Sequence, residues 1–257
     1  MKKNILFVGV TLAMLILAGC KKDKEETTDP IVEAPTYGGM ELEMEHVFND
    51  ASFALGTSYT NSSGESVTFN TIKYYVSNVK LTKTDGTVWS QPESYYLVDL
   101  SASGSNMLHI HDIPTGDYTS VTFTLGVDST RNVSGAQTGA LSISNGMFWS
   151  WNSGYIFAKF EGDSDANVDG FSYHLGGFSG ANAALNTTTY SFAPALLNIR
   201  QDAAPVVHMG VNLANVFGGS AGPLSVASTS VLHMPGVMAN MIADNFQSGV
   251  ELEHIHN

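Results

Sequence analysis

Chemistry in this chain must come mainly from its eight histidines, because a single cysteine, Cys20, is the only thiol in 257 residues. Two histidines stand in settings where an imidazole needs a partner. His46 lies in the run MELEMEHVF (40–48), in which Met40, Leu42, Met44, His46 and Phe48 share one strand face and Glu41, Glu43 and Glu45 the other. An unpaired imidazole on that apolar face is costly to bury. His174 lies in FSYHLGGF, where Gly176 and Gly177 permit close approach of backbone or ligand. Two neutral imidazoles meeting in a dry pocket lined by methionine and tryptophan suit a borderline or soft ion, copper above all. The segment GMFWSWNSGYIFAKFEG (146–162) offers such a lining. With period two, Met147, Trp149, Trp151, Ser153, Tyr155 and Phe157 fall on one strand face, although aromatic rows of this kind ordinarily build a core.

The remaining histidines are weaker candidates. In MLHIHDI, Leu108 and Ile110 take the buried face, so His109 and His111 face water. His254 and His256 alternate in ELEHIHN, as a last strand or a tail, and His208 and His233 are held in reserve. A second kind of metal chemistry is suggested by Asp163, Asp165, Asn167 and Asp169, since D-x-N-x-D-G places alternate oxygens before a glycine as calcium loops do. The twelfth position from Asp165 is Gly176 rather than a bidentate glutamate, which favours an acidic hairpin instead. No H-E-x-x-H or phosphate-binding glycine loop is present and no spacing of Asp, Ser and His argues for a triad, so the chain reads as a binding protein and not an enzyme.

What must position these side chains is a series of short alternating runs punctuated by Gly, Asn, Asp and Ser, the pattern of an all-β fold. Strands are expected over 40–48, 66–83, 94–100, 118–128, 147–161, 170–178, 190–200 and 204–217. One late helix is expected after Pro235, where Val237, Met238, Met241, Ile242, Asn245 and Phe246 recur at helical spacing. The architecture predicted is an antiparallel, Greek-key-like β-sandwich over residues 37–257, with one short peripheral helix near its end.

The first residues indicate where the protein works. Lys2 and Lys3, the apolar run Ile5–Leu17 and the box Leu17-Ala18-Gly19-Cys20 resemble a lipoprotein signal over 1–19, with Cys20 as the lipidated residue. Residues 20–36 then form a charged tether, resembling the surface-export signal of Bacteroidetes lipoproteins. The expected location is the outer membrane, at the cell surface or the periplasmic face. The formal charge of −13, or −15 once Lys2 and Lys3 are removed, argues against nucleic acid or anionic membranes bound through basic patches and suits cation attraction.

The segment GVDSTRNVSGAQTGALSISNGMFWSWNSGYIFAKFEG (126–162), with IKYYVSNVKL (72–81), FSYHLGG (171–177), VVHMGVNLANVF and MANMIADNF, resembles the copper-binding MbnP-like family. The resemblance covers the folded part from about Met40 to Phe246. It implies a β-sandwich binding one copper ion, Cu+ or Cu2+, through histidines and a tryptophan oxidised to kynurenine. It also implies a partner, a di-haem peroxidase-like enzyme of the MbnH/MauG type. Carried over by motif, Trp151 or Trp149 is the residue modified, and His174 and His46 are imidazole ligands. The competing expectations are a metal-free surface binding or adhesion module and a calcium-stabilised sandwich.

Overall fold

The computed structural model describes residues 34–135, 137–151 and 154–257. The expected signal over 1–19, Cys20 and most of the tether lie outside the described residues. In chain order the main elements are β1 (Tyr37–Phe48), β2 (Ser66–Lys83), β3 (Tyr95–Asp99), β4 (Met107–Pro114), β5 (Gly116–Leu125), β6 (Phe148–Trp149) and β7 (Gly154–Tyr155). They continue as β8 (Ala158–Ser164), β9 (Asn167–Leu175), β10 (Asn186–Ser191), β11 (Leu197–Ile199), β12 (Val206–Asn212), β13 (Val231–Leu232), helix α1 (Val237–Ser248) and β14 (Val250–His256). Among the described residues no helix is long and apolar enough to cross a membrane.

Two sheets face each other across one core. The smaller is ordered β14-β12-β1, with β4 and the short strand Ala51–Ser52 on the far edge of β1. The larger, ten-stranded sheet runs β10-β5-β2-β8-β9-β13 along its main path. Most pairings are antiparallel, as expected of a sandwich, but β1 with β12 and β9 with β13 are parallel.

Period-two patterning explains the layering. Met40, Leu42, Met44 and Phe48 of β1 and Val207, Met209 and Val211 of β12 are buried against the inner side chains of the larger sheet, Phe69, Tyr74, Phe160 and Phe171 among them. Glu41, Glu43 and Glu45 therefore point outward, where their charge stays hydrated. Helix α1 closes one side of the core with Ala239, Ile242, Ala243, Asn245 and Phe246 buried, and Phe246 packs edge-on against Tyr74 and Phe160. Met238 and Met241 sit at the helix margin and Val237 is exposed, so the buried face is narrower than the sequence periodicity indicated.

The strand expected over 147–161 is instead a small hairpin followed by a separate strand. Trp149 pairs with Gly154 and Phe148 with Tyr155, so the chain reverses between β6 and β7 before entering β8. The expected common face from Met147 to Phe157 is thereby broken. Met147 is completely buried, Trp149 is 5% exposed, and Trp151, on the turn, is 61% exposed. The Asn-Ser-Gly sequence after Trp151 carries the turn signal that alternation alone ignores.

Candidate functional site

The tryptophan hairpin is anchored from below. Tyr155 donates its hydroxyl to the Leu141 carbonyl (2.6 Å), and its amide donates to Asn132 Oδ1 (2.9 Å). Asn132 belongs to a single helical turn, Ser129–Asn132, capped by Asp128, whose carboxylate also accepts from Tyr95 Oη (2.6 Å) and Asn78 Nδ2 (2.9 Å). The run GVDSTRN thus works as a bracket that fixes the hairpin to the larger sheet. On the other side Lys159 Nζ donates to the Gly146 carbonyl (2.8 Å), which brings the start of the hairpin segment over β8.

The alternation of β8 and β9 shows which residues lie under the hairpin. Lys159 stands directly opposite His174, and Glu161 opposite Ser172. Ser172, His174 and Gly176 alternate on one face, and a Cβ at Gly176 would meet Trp149 Cζ3 at 2.6 Å and the Tyr155 carbonyl oxygen at 2.7 Å. The close approach expected at the glycine pair is therefore made by the Trp149 ring itself. Two residues along an extended strand is ~7 Å, so the indole edge reaches the face of β9 one alternate position beyond His174.

His174 is mostly buried and donates from Nε2 to Glu161 Oε1 at 2.6 Å. Its ring stacks on that of His233, with centroids 4.0 Å apart and planes within 15°, and Ser172 Oγ lies 2.7 Å from His233 Nε2. Burial lowers the His174 pKa, and the hydrogen bond to Glu161 only partly offsets it. The Glu161 carboxyl is also lowered: burial would raise it, but the bond from His174 and the charge of Lys159 outweigh that. Both shifts agree on one state at neutral pH, a neutral imidazole donating to a carboxylate. The hydrogen-bond network assigns the proton to Nε2, which leaves the lone pair on Nδ1. Trp149 Nε1 is buried and has no hydrogen-bond partner among the described residues.

His46 does not join this group. Tyr74, Ala158 and Leu175 form one inward-facing row across the larger sheet, while Lys73, Lys159 and His174 form the adjacent row facing out. His46 reaches the inward row, with Nε2 2.9 Å from Tyr74 Oη and the two rings edge to face. The two imidazoles expected to converge lie on opposite faces of the same sheet. Burial pushes the His46 pKa down to about 4 and the Tyr74 hydroxyl well above its usual range. His46 is thus a neutral hydrogen-bonding partner within the sandwich.

The other sequence candidates fall as follows. Met147 is wholly within the core cluster. Asp163, Asp165, Asn167 and Asp169 flank the tight β8–β9 turn, and three of them are occupied one by one. Asp163 accepts from Asn70, Asp165 from the Ser66 amide and Asn167 from the Asp169 amide. Among the described residues the three aspartates belong to no group of three His, Cys, Asp or Glu ligand atoms within 4.8 Å of one another. His109 and His111 are exposed, as expected. His208 meets His254 and His256 on the outer face of the smaller sheet. Sequence reasoning missed Glu161 and Ser172, the partners of the His174–His233 pair. A plain hairpin register centred on Asp165–Ala166 sets Glu161 opposite Gly170, and only the bulge between Gly162 and Ser164 brings it opposite Ser172.

The MbnP family model matches residues 37–239. Among solved structures, "MbnP from Methylosinus trichosporium" aligns with a TM-score of 0.49 and 15% identity, over 79% of this chain and 83% of that one. No curated protein sequence matches.

Proposed function

The chain belongs to the MbnP family, and on that premise we propose that it is an extracytoplasmic copper-binding protein, not an enzyme, anchored through a lipid on Cys20. A copper-associated role fits the family. The observation that carries the finer reading is the Trp149 hairpin lying on the same strand face as His174, with the Trp149 Nε1 unpartnered among the described residues and the His174 Nδ1 lone pair left over by the bond to Glu161.

These residues fit copper by the chemistry of their donors. A neutral imidazole held by a carboxylate is the usual form of a metal-ligating histidine, because the carboxylate fixes the tautomer and raises basicity at the other nitrogen. His233, stacked on His174 and held by Ser172, supplies a second imidazole from just after β13 without rearrangement of the sheet. An indole offers only a π-face and a non-basic N–H, whereas kynurenine carries an aryl amine and a ketone. Oxidation of Trp149 or Trp151 by a di-haem peroxidase-like partner, with peroxide as the oxidant and indole C2 leaving as formate, would thus convert an indole into a donor beside the two imidazoles. Trp151 is the one open to an approaching protein, and its ring lies 5.7 Å from that of Trp149.

The test is to express the chain with its signal and a di-haem partner, weigh the peptide containing Trp149 and Trp151, and measure bound copper. The reading expects a kynurenine-sized mass change and copper occupancy that falls in His174→Ala. An unmodified peptide together with copper binding unaffected by His174→Ala removes it.

A further inference from the structure

The outer face of the smaller sheet carries a separate constellation. In the row across β1, β12 and β14, Glu43 stands opposite His208 and His208 opposite His254. A bulge between His208 and Met209 in the pairing with β14 leaves Glu253 over, so His254 and His256 both project on the outward side. His254 and His256 lie two residues apart on one strand face, and His208 joins them from the neighbouring strand. The three rings cluster, with centroids 4.2 Å (His208–His254), 4.9 Å (His208–His256) and 4.7 Å (His254–His256) apart. One nitrogen from each falls within 4.8 Å of the other two.

We propose that His208, His254 and His256 form a second metal site, for a borderline divalent transition ion such as Zn2+ or Cu2+. Three imidazoles without a thiolate select that class over calcium or magnesium, which take oxygen ligands. The decisive detail is His208. Its Nδ1 lies 3.0 Å from Glu43 Oε2 and 3.3 Å from Glu45 Oε1, so it carries the proton and donates it. That leaves the lone pair on Nε2, which is buried and has no hydrogen-bond partner among the described residues. A carboxylate that orients an imidazole while its other nitrogen stays free is the outer-shell arrangement of a histidine ligand. A merely structural histidine would have both nitrogens engaged or hydrated.

The two remaining ligands are exposed, so the ion would keep open coordination positions, as in sites that exchange ligands and unlike closed structural ones. Glu253, whose Oε1 lies beside Gly210, adds negative charge at the rim and favours cation capture. The site is on the opposite side of the molecule's core from the Trp149 hairpin and depends on none of its residues.

The test uses the whole chain stripped with a chelator and titrated with Zn2+ alone against a chromophoric competitor. Wild type is expected to take up one Zn2+, and His254→Ala/His256→Ala to lose it while keeping its circular dichroism. Glu43→Gln is expected to weaken binding by about tenfold to a hundredfold, and His174→Ala to leave it intact. No uptake by wild type, or uptake that survives the double substitution, overturns the site. Unchanged affinity in Glu43→Gln overturns the orienting role given to that carboxylate. Copper occupancy that falls in His174→Ala with Zn2+ uptake retained separates the two sites, so either reading can fail alone.

Discussion

Replacing His46 by glutamine should remove a defined acid sensitivity. The neutral imidazole is held between the sheets against Tyr74, and burial lowers its pKa from the ordinary 6.5 to about 4. Between those values the unfolded chain binds a proton that the folded chain resists, so stability rises with pH across the window. The contribution is fully present above about pH 6.5, is lost progressively as the pH falls, and is gone below about 4. A shift of about 2.5 units corresponds to ~3 kcal/mol, and the slope approaches ~1.4 kcal/mol per pH unit in mid-window. Urea unfolding of wild type and His46→Gln, followed by tryptophan fluorescence at several pH values between about 7.5 and 4, should give curves that converge as acid is added. Glutamine keeps a hydrogen-bonding group for the Tyr74 hydroxyl, so the loss at neutral pH should stay within about 1–3 kcal/mol. Parallel pH dependences, or an NMR titration placing His46 near 6.5, would refute the burial argument. Copper affinity reduced by the same substitution would refute its separation from the metal centre.

Three further outcomes follow from the geometry. Gly176→Ala should push the Trp149 ring off β9, with a cost of about 1–3 kcal/mol from overpacking, visible as a red-shifted tryptophan emission. Asp128→Ala should cost at least ~0.5–2 kcal/mol through the lost cap alone, and it should loosen the hairpin bracket, read as faster proteolysis near Trp151. Burial alone would raise the Glu65 carboxyl, but bonds from Ser225, Ala227, Asn61 and Val226 outweigh it and lower the pKa to about 2. The loop clamp it makes is thus present above the ordinary carboxylate pKa and lost as the pH falls toward 2. Glu65→Gln should accelerate amide exchange at Val226 and Ala227 at neutral pH and leave metal uptake alone.

Much of the fold was legible because it depends on local alternation. Met40, Leu42 and Met44 against Glu41, Glu43 and Glu45 gave the inner and outer faces of β1 directly, and the helix after Pro235 announced itself by spacing. The hairpin at Trp149 was not legible by the same rule, since apolar residues continue at period two through a turn that reverses the chain. Nor could alternation place His46 and His174 relative to one another. Each strand face can be assigned separately, but which faces meet depends on how the sheets are layered. His254 and His256 show the same limit. Their alternation was evident, while their meeting with His208 required the antiparallel β12–β14 pairing and its bulge, both set by contacts distant in sequence.

The central claim is that copper is held at the Trp149 hairpin, with His174 as a ligand. Crystals of the copper-loaded protein, measured at the copper absorption edge, would show the ion by its anomalous signal. The account predicts a peak bonded to His174 beside the Trp149 ring. A signal confined to His208, His254 and His256, or none at all, would contradict it.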